Sequence, residues 1–310
     1  MGKINIAVLA GGWSSEREIS INSGEAVFEA LDRKKYNVTR YDPRDDLATL
    51  LREKDKIDLA FILLHGKYGE DGCIQGFLEL LGIPFVGSGV LSSAMALHKK
   101  IAKELFKGAG LNVIEDIIIH KGQEFSVDHI RETIGSSLVV KPVNEGSSLG
   151  MSICHSRQEL LVGMNVAFQY DQGVMVEKYI QGREMTCCII GNKIVQALPL
   201  VEIIPNKGRT FFDYKAKYTK GAAREICPAP LSKTESEEVQ SCAKKAHTAL
   251  KCRVWSRTDM IIHDKGVYVL ETNTIPGMTE TSLVPLAART AGMSLSQLLD
   301  TLIGLSLEPE

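Results

Sequence analysis

The sequence predicts an α/β protein that opens with a parallel sheet, and three apolar runs carry that prediction. Residues 4–10 are near-continuously apolar and end in Gly11-Gly12, as expected of a strand buried on both faces. A second run, 57–64, stops at His65-Gly66, and a third, 84–86, stops at Gly87. After the first comes Ser14-Ser15-Glu16-Arg17-Glu18, leading into a helical pattern with Ile19, Ala26, Val27, Ala30 and Leu31. Strand–loop–helix repeats of this kind gather loops at the strands' carboxyl ends, where open α/β sheets place ligands.

The texture then changes. A helix is expected over 92–107, strands over 113–119, 138–141, 151–154, 174–177 and 185–190, and a helix over 157–168. This gives an N-terminal lobe of residues 1–97 and a smaller α+β lobe of 98–182. The third part, 183–310, carries strands at 194–203, 254–262 and 267–271, a helix at 234–250, and closing helices from Leu283. Its polar segment 206–230 has no clear period, which in a compact domain points to a functional or mobile loop.

Composition removes several classes of function. The 310 residues hold 36 Lys+Arg against 38 Asp+Glu, a net charge of −2, without the basic excess of a nucleic-acid binder. No apolar run nears the roughly 18 residues of a membrane span, and the start lacks a secretory pattern. The 7 cysteines (Cys73, Cys154, Cys187, Cys188, Cys227, Cys242 and Cys252) are scattered and form no CxxC pair. They read as reduced thiols in a cytosolic protein. Cys187 and Cys188, adjacent on a strand, read as small hydrophobes on opposite faces.

Four clusters offer chemistry. Lys141-Pro142-Val143-Asn144-Glu145-Gly146-Ser147-Ser148-Leu149-Gly150 joins two strands; its small residues and hydroxyls suit a phosphate cradle as well as a tight hairpin. Arg257 and Asp259 on one strand, and Glu271 and Asn273 on the next, have i, i+2 spacing. If Asp264-Lys265-Gly266 is the whole turn, His263 pairs with Val267, Asp259 with Glu271 and Arg257 with Asn273. All four site side chains then share one face. Two carboxylates and an amide are hard oxygen donors suited to Mg²⁺ held with nucleotide phosphates. Pro276-Gly277-Met278-Thr279 to Ser282-Leu283 precedes a helix, where N–H groups suit an anion or a capped turn. Asp213-Tyr214-Lys215-Ala216-Lys217-Tyr218 is either a lid over an anionic substrate or a plain surface loop. His65 ends a strand, a better place for function than most. Together these residues indicate a nucleotide- and magnesium-using α/β enzyme.

In this order, the clusters resemble the D-alanine–D-alanine ligase family of ATP-grasp enzymes. The matching stretches are Gly11-Gly12 with Ser14 to Ser20, His65-Gly66 with Gly69-Glu70-Asp71-Gly72, and Lys141-Pro142 with Glu145 to Ser148. Asp213-Tyr214 with Lys217-Tyr218, and Glu271-Thr272-Asn273 with Pro276 to Thr279, complete them. The resemblance implies a three-lobed ATP-grasp architecture, a Rossmann-like first lobe, and joining of two D-alanines through an acyl phosphate for peptidoglycan synthesis. Its nearest rivals are a D-alanine–D-lactate ligase, against which Tyr218 argues, and a non-catalytic nucleotide-binding module.

The resemblance also implies roles. Lys99, Lys141 and Lys217 would meet ATP phosphates, Glu177, Lys178, Tyr179, Ile180 and Phe211 would surround the base, and Glu184 would hold the ribose. Asp259, Glu271 and Asn273 would hold two Mg²⁺ ions, with Mn²⁺ able to substitute. Glu16 would secure the first ammonium, with His65 nearby, and Arg257 and Gly277 would stabilise the oxyanion. Ser282 and Leu283 would receive the second D-alanine, while Tyr218 and Ser147 would bridge to Glu16. A homodimer in the bacterial cytoplasm, without nucleic-acid or membrane partners, is expected. Trp13, His98, Ser256, Thr258 and Thr272 depart from the family pattern.

Overall fold

The computed structural model describes residues 2–205 and 223–309; most of the segment expected as a lid lies outside them. Its first sheet is parallel. Ile4–Leu9 (β1), Tyr36–Tyr41 (β2), Leu59–Ile62 (β3) and Phe85–Val86 (β4) lie in the order β2-β1-β3-β4. Helices Arg17–Ala30 (α1), Pro43–Glu53 (α2) and Cys73–Leu81 (α3) connect them. The two long apolar runs are the central strands. No apolar run marks β2, an edge strand whose middle faces solvent. Asp42 starts α2 by accepting from the Arg44 N–H, with Pro43 at the first position.

The helix expected over 92–107 is two helices, Val90–Leu97 (α4) and Lys99–Gly108 (α5). His98 separates them: its backbone is extended, and its Nδ1 accepts from the Ile101 N–H at 3.3 Å. This cap makes Lys99 the first residue of α5. Periodicity alone conceals the break, because apolar residues continue across it.

The second sheet contains Asp116–His120 (β5), Leu138–Pro142 (β6), Ser152–Cys154 (β7) and Gly173–Lys178 (β8), ordered β5-β8-β6-β7 and antiparallel along its paired edges. Helices Val127–Ile134 (α6) and Arg157–Ala167 (α7) share its core of Leu138, Val140, Leu160 and Val176. A reciprocal Ser156–Glu159 capping box begins α7.

The third sheet holds Arg183–Gly191 (β9), Val195–Ala197 (β10), Val201–Pro205 (β11), Ala223–Ile226 (β12), Trp255–His263 (β13) and Gly266–Asn273 (β14). Their path is β12-β11-β9-β13-β14, with β10 also on β9. The strand expected over 194–203 is therefore divided, at Leu198-Pro199-Leu200, where proline supplies no N–H for a ladder. Lys233–Ala249 (α8) covers one face, while Leu283–Thr290 (α9) and Leu295–Ser306 (α10) pack in the core on the other. Cys187 and Cys188 point into these two separate cores. Trp255 and the first sheet's Phe61 meet edge to face at 6.3 Å, so one apolar core spans both sheets.

The β13–β14 hairpin reaches the expected pairing by another route. His263 pairs with Gly266, not Val267, leaving a two-residue turn that alone would set Asp259 opposite Leu270. A bulge absorbs Leu270, and Asp259 then opposes Glu271 and Arg257 opposes Asn273.

Gly182, between β8 and β9, admits no side chain. A Cβ there would lie 2.3 Å from the Ile262 carbonyl oxygen and 2.4 Å from Ile261 Cγ2. Gly182→Ala is expected to cost about 1–3 kcal/mol of stability by overpacking, read as a lower urea midpoint at unchanged slope. A wild-type midpoint would show that the connection moves aside freely.

Candidate active site

Along β13, alternate residues on one face change character. Trp255 is in the core shared with the first sheet; Arg257 and Asp259 follow it on the same side, opposite Cys188 and Thr186 of β9. The Arg257 guanidinium grips Asp259 through Nε–Oδ1 at 3.0 Å and Nη2–Oδ2 at 2.8 Å. The Thr186 hydroxyl donates to Asp259 as well. Burial works against the Arg257 charge, but Asp259 and Glu271 outweigh it and hold its pKa above the ordinary value. The residues between face the opposite side. Thr258 and Thr272 meet at 2.9 Å, and Ser256 meets His247 Nδ1 at 2.7 Å. These buried hydroxyls thereby find hydrogen-bond partners.

The first sheet delivers carboxylates and an imidazole. Gly11 and Gly12, with φ of 101° and 78°, turn the chain after β1 and lead to Glu16 at the start of α1. Ser147, 131 residues away, donates its hydroxyl to Glu16. His65 follows β3 and bonds the Ile275 backbone; burial, then Arg257, lowers its pKa to about 4. Its ring is therefore neutral near pH 7, and Nε2 has no hydrogen-bond partner among the described residues. Glu70 is 7% exposed and accepts from the Gly66 N–H at 2.7 Å. Burial and then neighbouring Glu16 raise its pKa.

The second sheet and α5 deliver cations. Lys141 Nζ lies 2.6 Å from Glu177, and Lys103 Nζ lies 2.5 Å from the other oxygen of that carboxylate. Lys99 donates to the Glu145 carbonyl. Burial lowers its pKa, against the opposing pull of Glu271.

These groups surround two cavities. One is lined by Lys99, Lys141, Glu177, Lys178, Tyr179, Ile180, Glu184, Asp259 and Glu271, with apolar walls from Val139, Met151, Ile153 and Leu270. The other is lined by Glu16, His65, Ser147, Arg257, Asn273 and Gly277. Lys99, Glu145 and Glu271 line both, so the cavities meet there. Ser282 and Leu283 line neither: Ser282 stands at the N-cap position of α9 behind Gly277 without a side-chain capping bond, and its hydroxyl instead accepts from the Thr279 N–H at 3.0 Å. Phe211, Lys217 and Tyr218 lie outside the described residues. Glu70 and Glu145, to which the sequence alone gave no role, also line the second cavity. Both sit in loops, where no period marks a carboxylate that faces a cavity; Glu70 is buried and Glu145 half-buried, and both lie within the motifs after Gly66 and after Lys141-Pro142.

Asp259, Glu271 and Asn273 fit a magnesium site by donor chemistry. Asp259 and Glu271 are directly opposite and face the first cavity, and each carboxylate oxygen has more than one lone pair. Among the described residues no three His, Cys, Asp or Glu side chains converge as a complete metal cage. A magnesium ion ordinarily completes its shell with phosphate oxygens and water.

Comparison with known proteins gives a consistent picture. Residues 42–88 match the family described as D-ala D-ala ligase N-terminus, and residues 105–304 match D-ala D-ala ligase C-terminus. A D-alanine–D-alanine ligase of Syntrophobacter fumaroxidans is 52% identical over 306 residues, covering 99% of this chain and 98% of the relative. Among solved structures, the Bacillus anthracis D-alanine–D-alanine ligase complexed with ATP aligns with a TM-score of 0.84 and 36% identity, covering 98% of this chain and 97% of that one. The VanG D-Ala:D-Ser ligase of Enterococcus faecalis aligns at 0.84 with 32% identity, covering 99% and 100%.

The raised pKa of Glu70 has a measurable consequence. Its folded value lies above its ordinary 4.5, so the folded state binds more protons than the unfolded one in that window. The associated stability is full below pH 4.5 and is lost as pH rises through the folded value. Glu70→Gln mimics the protonated group and lacks this loss. From pH 5 to 8, wild type should lose stability to urea relative to Glu70→Gln; parallel curves would contradict the raised pKa.

Proposed function

We infer that the reaction is the ATP-dependent joining of two D-alanines, since the chain belongs to the D-alanine–D-alanine ligase family. The observation that supports this reading best is the meeting of the two cavities at Lys99, Glu145 and Glu271. A phosphoryl group entering from one side would there face a carboxylate entering from the other.

The proposed roles are those that membership of the family implies for these positions, and the charges and donors lining the two cavities support several of them. Lys99 and Lys141 bind phosphates, Glu177, Lys178, Tyr179 and Ile180 surround the base, and Glu184 holds the ribose. The Glu16 carboxylate takes the first D-alanine's ammonium, with its orientation set by Ser147. Neutral His65 offers an acceptor at Nε2. A free carboxylate is a poor electrophile; its oxygen attacks the terminal phosphorus of ATP, the bond from that phosphorus to ADP breaks, and the resulting acyl phosphate carries a good leaving group. The second amine, once deprotonated, attacks that acyl carbon and generates an oxyanion, whose collapse breaks the carbon–oxygen bond to phosphate and releases phosphate. Arg257 uses two of its five N–H donors on Asp259, leaving others, with the Gly277 N–H, for this charge. Bound Mg²⁺ would be held by Asp259, Glu271 and Asn273 and would supply electrostatic stabilisation of phosphate charge. The family resemblance assigns the second D-alanine to Ser282 and Leu283, although neither lines the two cavities. Tyr218 and Lys217, with Phe211, belong to the covering segment in this reading, which excludes water that would hydrolyse the acyl phosphate.

The lobes are proposed to divide near 97/98 and 182/183. The physiological setting is proposed as peptidoglycan precursor synthesis in the bacterial cytoplasm by a homodimer. Among the described residues no helix is long and apolar enough to cross a membrane.

Purified protein should form ADP and D-alanyl-D-alanine from D-alanine, ATP and Mg²⁺, with L-alanine inert and D-lactate a poor second substrate at pH 7.5. Glu271→Gln should retain its thermal midpoint while kcat falls by about two orders of magnitude or more, given electrostatic contributions of several kcal/mol. Depsipeptide as the main product would favour the lactate ligase; normal turnover in Glu271→Gln would remove that residue from the metal site.

A further inference from the structure

We propose that Lys103 is a positioning residue for selection of the nucleotide base, fixing the Glu177 carboxylate as an acceptor-only group in the cavity wall. The proposal rests on reading that cavity as the nucleotide site.

Lys103 does not line the cavity and is 2% exposed. It lies one turn beyond Lys99 on α5, so the two ammonium groups leave the same side of the helix. Lys99 reaches the cavity wall, and Lys103 reaches beneath it. There, Asp116 and Glu177 are directly paired across β5 and β8. Like charges in such register repel. The Lys103 ammonium bridges them, 3.0 Å from Asp116 Oδ1 and 2.5 Å from Glu177 Oε1. Lys100 lies 3.0 Å from the other Asp116 oxygen, and Lys141 lies 2.6 Å from the other Glu177 oxygen. Burial alone would raise the Glu177 pKa, but Lys141 and Lys103 outweigh it and hold it below the usual carboxylate range.

The two cations on Glu177 are not equivalent. Lys141 lines the cavity and is open to phosphate, whereas Lys103 is confined to the two carboxylates. When phosphate draws on Lys141, Lys103 is the counter-ion that keeps Glu177 ionised and oriented. An ionised carboxylate only accepts hydrogen bonds. Adenine offers an amino donor where guanine offers a carbonyl oxygen, so a fixed Glu177 favours the former and repels the latter.

The test is steady-state kinetics with ATP and GTP for wild type, Lys103→Met, Lys103→Arg, Asp116→Asn and Glu177→Gln. Lys103→Met should raise KM for ATP about tenfold and cut the ATP/GTP preference in kcat/KM about tenfold, the scale of one charged hydrogen bond. Its kcat should change much less, and Lys103→Arg should restore most of the preference. Asp116→Asn leaves the ammonium on Glu177 and should keep the wild-type preference. If Lys103→Met fails to fold, Lys103→Gln carries the same expectation. An unchanged preference in the Lys103 variants beside an altered one in Glu177→Gln would overturn the inference while sparing the nucleotide site. An equal loss in Asp116→Asn would also overturn it, making the network merely structural. Unchanged kinetics in Glu177→Gln would instead overturn the assignment of the base-binding wall.

Discussion

Charge buried where three sheets converge has to be neutralised locally, and that requirement organises this molecule. An unpaired ion in such a place costs several kcal/mol, and a pair is tolerable only with well-formed hydrogen bonds. Neither the first sheet nor the third supplies a neutral set alone. The first brings Glu16, His65 and Glu70, the second Lys141 and Glu177, and the third Arg257, Asp259 and Glu271. Contacts across long sequence separations join them: Ser147 to Glu16, Lys99 to the Glu145 carbonyl, and Lys103 to Asp116 and Glu177. The charges that serve the proposed chemistry therefore also specify how the sheets meet.

Strand alternation keeps this chemistry separate from packing. On β13, one face runs from Trp255 to Arg257 and Asp259, while Ser256, Thr258 and Met260 face α8 or the adjoining core. The Leu270 bulge preserves the separation on β14 by keeping Glu271 opposite Asp259. His247, buried against Ser256, has its pKa lowered to about 4 by burial and so bonds as a neutral ring. Polar residues on the packing face are accommodated there without placing another charge in the cavities.

Much of this was legible in the sequence because buried strands leave continuous apolar runs and paired i, i+2 ligands leave a spacing. β1, β3 and the Asp259–Glu271 pairing belong to this group. Edge strand β2 left no such mark, because its pattern is partly solvent-facing. The break at His98 was hidden because a helix cap is one residue wide, and the continuing apolar period covered it. The hairpin was a subtler case: the proposed three-residue turn was wrong, yet the bulge supplied the same offset. The placement of Glu70 and Glu145 at the cavity, and the contacts of Lys103, escaped for a different reason. Their surroundings are made by residues distant in sequence, and single-residue patterns carry no record of such neighbours.

The central claim is that the two cavities bring a carboxylate and a phosphoryl group together between Lys99 and Glu271. Turnover of D-alanine labelled with ¹⁸O in its carboxyl group, followed by ³¹P NMR of the released phosphate, tests this directly. Transfer of one labelled oxygen to each phosphate is predicted, because the activated carboxylate donates the bridging oxygen and phosphate leaves with it. Phosphate released without label while D-alanyl-D-alanine accumulates would contradict the account.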